Sequence, residues 1–293
     1  NSAFNNLLYG FRITSGSNNT LLDNTASRGD SSIPGTDGFF LSSSSNNTLV
    51  NNTAFLNNQG FRLYSNSNGN NLSANTAYND SIGFALQQTS NNRLENNVAY
   101  ADATGFYLYT SPNNNNLVLN NTAYNCAAGF SLANSNGANV TNNTAFDFTS
   151  SGFFLSSSSN GRLLNNTAHS GIHYAFILQS SNNNTLANNT AFNISDIDEY
   201  NPGTGFTLLT SSNNSLSYNT AKKNSVGVSL SDSDRNNLTN NAIFNDTLDG
   251  IYILSSNDTK IVGGTLFNNN PDFRLDGFDI TVNLTAVIFD SDA

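Results

Sequence analysis

The sequence has no methionine and no tryptophan, one cysteine (Cys126), four prolines and two histidines. A lone cysteine forbids an intrachain disulfide, so the fold is stabilised by other means. Basic residues are scarce, with ten Lys and Arg against twenty Asp and Glu and a formal net charge of −10. No basic stripe exists to displace counterions from phosphate, which excludes a nucleic-acid partner. No apolar run approaches the roughly 20 residues that span a bilayer, so no transmembrane segment is expected. No signal peptide is visible either: the first residues, NSAF, already read like part of a repeat, as in a mature or trimmed fragment.

Charge and hydrophobicity are replaced by Asn, Ser and Thr, arranged periodically. The stretch Gly38 to Gln59, GFFLSSSSNNTLVNNTAFLNNQ, recurs with drift along the chain. Its Gly-Phe start returns at Gly60-Phe61, Gly83-Phe84, Gly105-Phe106, Gly129-Phe130, Gly152-Phe153 and Gly205-Phe206. A fixed period of about 22–24 residues means a solenoid before anything else. Disordered polar tracts do not place Phe and Leu at fixed offsets.

Within one repeat, Phe39 and Leu41 alternate with free positions, Leu49 is flanked by Thr48 and Val50, and Ala54 by Thr53 and Phe55. Three short half-buried strands and three polar corners therefore make up each repeat, and helical three- and four-residue spacing is absent. The expected fold is all-β: a single-stranded right-handed parallel β-helix of about 11–12 coils. Residues 1–267 would form the helix and 268–293 a C-terminal cap or an inter-subunit strand.

The second corner holds Asn52, Asn75, Asn97, Asn121, Asn143, Asn166, Asn189, Asn219 and Asn241, with Gly264 in the last clear coil. Asn and Gly both tolerate left-handed backbone, so this column reads as a positive-φ requirement. Stacked Asn side chains would also bond to one another along the axis.

The pattern SNNTLxNNTA…GFxL resembles the right-handed parallel β-helix repeat of archaeal and bacterial surface proteins. The same repeat occurs in the periplasmic maturation protein of nitrous oxide reductase and, more distantly, in pectin-degrading enzymes and carbohydrate epimerases. The resemblance runs roughly from Phe4 to Phe267. In the pectin-degrading relatives, it implies, chemistry sits on the outer face of the first strand and the adjoining third-corner loops, with clustered carboxylates. Here the outward columns of that strand read Arg12, Phe40, Arg62 and Tyr107, then Thr14, Tyr64, Gln87 and Tyr109, without a carboxylate. Paired carboxylates for glycoside hydrolysis or calcium-assisted elimination are missing from the expected face. A copper role, implied by the maturation protein, lacks the Met, Cys and His donors copper favours.

Two insertions at the third corner, Ser27 to Asp37 and Asn193 to Thr204, hold the remaining acidic residues of interest. Asp196, Asp198 and Glu199 are a weak calcium candidate, weighed against a solvated acidic loop. His169 falls in the outward aromatic column and reads as a surface substitution. That column contains Phe55, Tyr78, Tyr100, Tyr124, Phe146, Phe192, Phe244 and Phe267, an apolar ladder that marks either an interface or mutual stacking of coils. N-x-S/T sequons nominate Asn79, Asn193, Asn257 and Asn283, with Asn18, Asn46 and Asn213, for N-glycosylation.

The expectation is a non-enzymatic extracellular or cell-surface structural protein without a cofactor, stacking head to tail through its terminal coils. The alternatives are a carbohydrate-binding module using the aromatic ladder and, disfavoured by the empty columns, a polysaccharide lyase or hydrolase.

Overall fold

The computed structural model describes residues 1–28, 35–110, 115–198, 201–277 and 280–289. Among them there is no helix; short strands form three parallel sheets, which make a β-solenoid of about 12 turns. Two compact units are distinguished, Asn1–Thr144 and Ala145–Ala293. Each turn contributes one long strand, such as Gln59–Tyr64, and two short ones, such as Asn71–Ser73 and Thr76–Tyr78.

The register advances by whole repeats. In the first unit Phe39 pairs with Phe61, Phe61 with Phe84 and Phe84 with Phe106, so like sits on like. Inside the turns, the rings of Phe11, Phe39, Phe61, Phe84, Phe106 and Phe130 stack at 4.7–4.9 Å. The second unit repeats this with Phe153, Phe176 and Phe206 at 4.8 Å. Leu49, Leu72 and Leu94 fill the second side of the core, and Ala54, Ala77 and Ala99 the narrow third side.

The corners are held by side-chain ladders. At the second corner Asn24, Asn52, Asn75, Asn97 and Asn121 each donate from Nδ2 to Oδ1 of the next Asn at 2.9–3.0 Å. Asn166, Asn189 and Asn219 do the same in the second unit at 3.0–3.1 Å. The other Nδ2 hydrogen goes to a carbonyl, as from Asn97 to Leu72 at 2.9 Å. Oδ1 meanwhile also accepts a backbone N–H, as Asn97 does from Asn75 at 2.9 Å. The buried amide is fully used, which offsets its desolvation. A second Asn ladder, Asn47, Asn70, Asn92 and Asn116, runs at the first corner. Beside it Ser44 donates from N to Ser67 Oγ at 3.1 Å, and in the second unit a Ser ladder runs from Ser181 N to Ser211 Oγ and from Ser211 N to Ser233 Oγ.

The positive-φ reading of the Asn52 column is corrected. The left-handed residue is the one before it: Asp23, Asn51, Ala74, Asn96, Asn120 and Tyr218 lie at φ 53–55°. That position is varied because one left-handed residue costs only about 1–2 kcal/mol. The next is Asn because only an amide both donates and accepts along the axis. Gly264, at φ 92°, is the one member of the column with positive φ.

The segment expected as a cap or an inter-subunit strand carries strands Phe273–Asp276, Val282–Thr285 and Ile288–Phe289. They pair in parallel with the preceding turn and add another to the solenoid. Leu275, Leu284, Ile288 and Phe289 are exposed there, as are Phe4, Leu7, Leu8 and Leu22 in the first turn.

Replacing Asn97 with Ala removes a donor and an acceptor and strands the amides above and below. The expected loss is about 2–3 kcal/mol, read as a lower denaturation midpoint. Asn96→Ala, at the exposed left-handed position, is expected to cost about 1 kcal/mol.

Candidate functional site

The outward face of the long-strand sheet in the first unit does not repeat like on like. Successive turns present Tyr9 and Arg12, Asp37 and Phe40, Arg62 and Tyr64, Gln87, and then Tyr107 and Tyr109. Stacking of identical residues is abandoned here, and the side chains contact one another across turns.

Arg62 is the hub. Its Nη1 lies 3.5 Å from Asp37 Oδ2, and its Nη2 donates to Gln87 Oε1 at 3.1 Å. Tyr109 donates its phenolic proton to the same Gln87 oxygen at 2.6 Å. The guanidinium carbon is 5.5 Å from the Phe40 ring centroid and 4.8 Å from that of Tyr64, within cation–π range of both. Tyr9 stacks on the Phe40 ring at 4.7 Å, and Arg12 lies over Tyr9 at 5.1 Å. The fork is thus locked by its neighbours while its buried Nε remains without a partner.

Asp37 opens the strand Asp37–Ser42 and is buried. Its Oδ1 has no hydrogen-bond partner, nor does the buried Oε1 of Gln59, the residue paired with it one turn on. Burial pushes the Asp37 carboxyl up to about 6, against the opposing pull of Arg62. A carboxyl that titrates near neutrality, a fixed cation and a phenol linked through one amide can move a proton and stabilise developing negative charge.

By sequence alone Asp37 ends the Ser27 to Asp37 insertion, and alternation along the strand leaves this face without a carboxylate. The difference lies at the glycine. A Cβ on Gly38 would lie 3.0 Å from the inward Ala54 Cβ, so Gly38 points into the core. Phe39 points inward as well. Two consecutive inward residues reset the alternation, and Asp37 emerges beside Arg62 although counting back from Phe39 puts it inside. The signal available was a charged residue immediately before a Gly-Phe start.

The other nominated residues lie elsewhere. Asp196 Oδ1 accepts from Gly203 N at 2.6 Å and from Ser225 Oγ, and Asp198 Oδ1 accepts from Asn201 N and Nδ2 at 3.0 and 2.8 Å. Glu199 lies outside the described residues. Among the described residues no three His, Cys, Asp or Glu side chains converge.

The aromatic column of the third sheet stacks in runs within each unit, interrupted at Ser27 and Lys222. Phe55, Tyr78, Tyr100 and Tyr124 lie 4.9–5.0 Å apart, and His169 sits between Phe146 and Phe192 at 5.3 and 4.7 Å. Phe244 and Phe267 stack at 4.7 Å, and Lys222 Nζ lies 5.5 Å from the Phe192 centroid. Their faces meet one another, leaving edges to solvent, whereas stacking on a sugar requires a free face. Of the nominated sequon residues, Asn18, Asn46, Asn79, Asn193, Asn213 and Asn283 are exposed and Asn257 is half-buried.

With the Arg62 guanidinium removed by Arg62→Ala, the Asp37 carboxyl is expected to titrate above its present value of about 6. A carboxyl-carbon NMR titration that shows it unmoved or lower would contradict the geometry.

A family model described as "Periplasmic copper-binding protein (NosD)" matches residues 1–122 and 149–283. A second, "Right handed beta helix region", matches residues 69–200. No curated protein matches the chain. Among solved structures, a variant of the periplasmic alginate epimerase AlgG is similar at 17% identity and TM-score 0.72, over 98% of this chain and 76% of that one. The A-module of the Azotobacter vinelandii mannuronan C-5 epimerase AlgE4 is similar at 14% identity and TM-score 0.64, over 99% and 88%. The catalytic domain of a GH87 alpha-1,3-glucanase in complex with nigerose is similar at 14% and TM-score 0.58, over 98% and 62%. These likenesses concern the fold. They nevertheless overturn the expectation that the chain is not an enzyme, which rested on an inert scaffold with an empty face. The similar structures are carbohydrate-active enzymes, and the face carries Asp37.

Proposed function

The chain belongs to the periplasmic copper-binding protein (NosD) family, and we propose that its long-strand face binds and chemically alters a carbohydrate polymer. One observation carries the reading: a buried carboxyl pairs with a guanidinium that Gln87 joins to a phenol on the outward face of one sheet. The similar epimerases and glucanase, all polysaccharide-acting by their names, support the substrate class. The names NosD and AlgG, both described as periplasmic, support a secreted or periplasmic location.

In this reading the Asp37 carboxylate takes the proton from the sugar carbon next to a carboxyl group, the C–H electron pair moves into that group, and Arg62 holds positive charge beside the oxygen that receives it. Gln87 fixes Arg62 and Tyr109 through a single oxygen. Tyr9, Phe40, Tyr64 and Tyr107 give the face an apolar, aromatic surround across neighbouring turns. A parallel sheet spaces those turns at about 4.8 Å, which suits an extended chain laid along the solenoid axis.

The copper in the family's name finds no fitting donor set among the described residues. Cys126 is buried, its thiol is pushed up to about 12 by burial, and it points at the Tyr124 carbonyl at 3.4 Å. His169 is stacked between two rings, burial lowers its affinity for a proton, and the chain has no methionine. No step is assigned to copper here.

The test is an activity screen on uronate and glucan polymers with the intact chain and its Asp37→Asn variant. Turnover is expected to rise with pH through about 6, as the Asp37 carboxylate forms. The variant is expected to lose about 10²- to 10⁴-fold in rate. No binding and no turnover on any such polymer would sink the proposal, as would a variant with full activity.

A further inference from the structure

The third corner carries its own column, directly behind the glycines that open the long strands. In the first unit it reads Asn57, Asp80, Asp102 and Cys126, and in the second it includes Asn224, Asp246 and Asn269. All seven are buried. The column is built like the Asn ladders, with Oδ1 accepting from the turn before. Asp80 accepts from Asn57 N at 2.6 Å, Asp102 from Asp80 N at 2.8 Å, and Asp246 from Asn224 N at 2.8 Å.

The second polar atom occupies one recurring slot, against the glycine one turn earlier. The slot is located by where a Cβ on that glycine would fall. In Asn57, Asn224 and Asn269 the atom is Nδ2, at 3.1, 3.1 and 2.8 Å from the Cβ positions of Gly38, Gly205 and Gly250. In Asp80, Asp102 and Asp246 it is Oδ2, at 2.6, 2.7 and 2.7 Å from those of Gly60, Gly83 and Gly227. Where Nδ2 fills the slot it donates to backbone carbonyls, from Asn57 to Phe55 at 3.0 Å and from Asn269 to Ile243 at 3.1 Å. Cys126 directs its thiol at the Tyr124 carbonyl, so it too offers a donor. The Oδ2 atoms of all three aspartates are buried with no partner. An anionic oxygen in a slot that serves donors would face acceptors without compensation.

We propose that Asp80, Asp102 and Asp246 are held as neutral acids whose Oδ2–H replaces the asparagine amide, so that the third corner loosens when they ionise. Among the described residues, no ion pair reaches any of them. The titratable groups facing the first-unit column are Asp80 and Asp102 themselves, Cys126 and the Tyr100 phenol. Asp246 faces the amides of Asn224 and Asn269. Burial raises all three carboxyls, Asp102 to about 8 and Asp246 to about 7, and the Asp102 charge raises Asp80 further. A folded-state pKa above the unfolded one contributes stability that is full in acid. That stability falls as pH rises above the ordinary carboxyl value of 3.8 and is gone once pH has passed the folded values of about 7 and about 8.

Gly60 and Gly83 lie in the strands that carry Arg62 and Gln87, so loosening this corner would disturb the outer face as well. The inference does not depend on what that face binds.

Thermal unfolding across pH tests it. The wild-type melting temperature is expected to fall by roughly 5 °C or more between about pH 5 and about pH 9. An Asp80→Asn, Asp102→Asn, Asp246→Asn triple variant restores the amide, so it is expected to lose most of that slope and to melt above wild type at high pH. Asp258→Asn, at an exposed turn, is the control and keeps the slope. A triple variant that keeps the wild-type slope, or melts lower at high pH, overturns the proposal. Should that variant fail to fold, infrared spectroscopy of the wild type decides. A protonated-carboxyl band persisting at about pH 6 and fading by about pH 9 supports neutral acids, and its absence at about pH 6 overturns them.

Discussion

Each turn of this chain can satisfy its backbone only through the turns above and below it. A short parallel strand has no partner within its own turn, so every N–H and C=O on the sheet edges depends on stacking. Thr76 N donates to Asn52 O and Val98 N to Asn75 O, both at 2.9 Å, and equivalent bonds recur along the corners. This single constraint fixes the spacing of the turns and places like positions over like. The side chain that suits such a position is one that can stack on its own copy.

Three residue types meet that demand in different ways. Phe stacks ring on ring, as the core column does at 4.7–4.9 Å in the first unit. Asn links to Asn because an amide carries donor and acceptor together. Ser does so through its hydroxyl, which accepts from the neighbouring turn and donates to a carbonyl, as Ser211 does to Leu209 at 2.8 Å. A carboxylate cannot stack on a carboxylate. Each buried aspartate must therefore find a cation, as Asp37 finds Arg62, or occupy an amide's place as an acid. The scarcity of charge in the sequence follows from the same constraint.

The functional proposal rests where stacking of like on like is broken. On the third sheet the aromatic column obeys the rule, and its rings spend their faces on one another. On the long-strand face of the first unit, Tyr9, Asp37, Arg62, Gln87 and Tyr109 do not repeat, and their contacts run across turns. The Arg62 guanidinium, held between Asp37 and Gln87 and against the rings of Phe40 and Tyr64, takes no part in stacking like on like. The expectation of an inert scaffold failed at this face, because it judged the columns by alternation alone.

The sequence by itself determined the solenoid, its period, the inward Phe, Leu and Ala, and the Asn column at the second corner. These are local and repetitive features, and repetition makes the long-range register readable from one turn. Tertiary structure decided the rest. The left-handed residue lies one position before the ladder Asn, since the ladder needs the side chain and only the preceding residue turns the corner. Asp37 faces outward because Gly38 and Phe39 both point inward, a break in alternation that arises from the close approach of Gly38 to Ala54 and Gly60. The pairing of Asp37 with Arg62, and of Arg62 and Tyr109 with Gln87, depends on the stacking of turns some 22 to 25 residues apart. Such contacts between unlike residues carry no periodic signal.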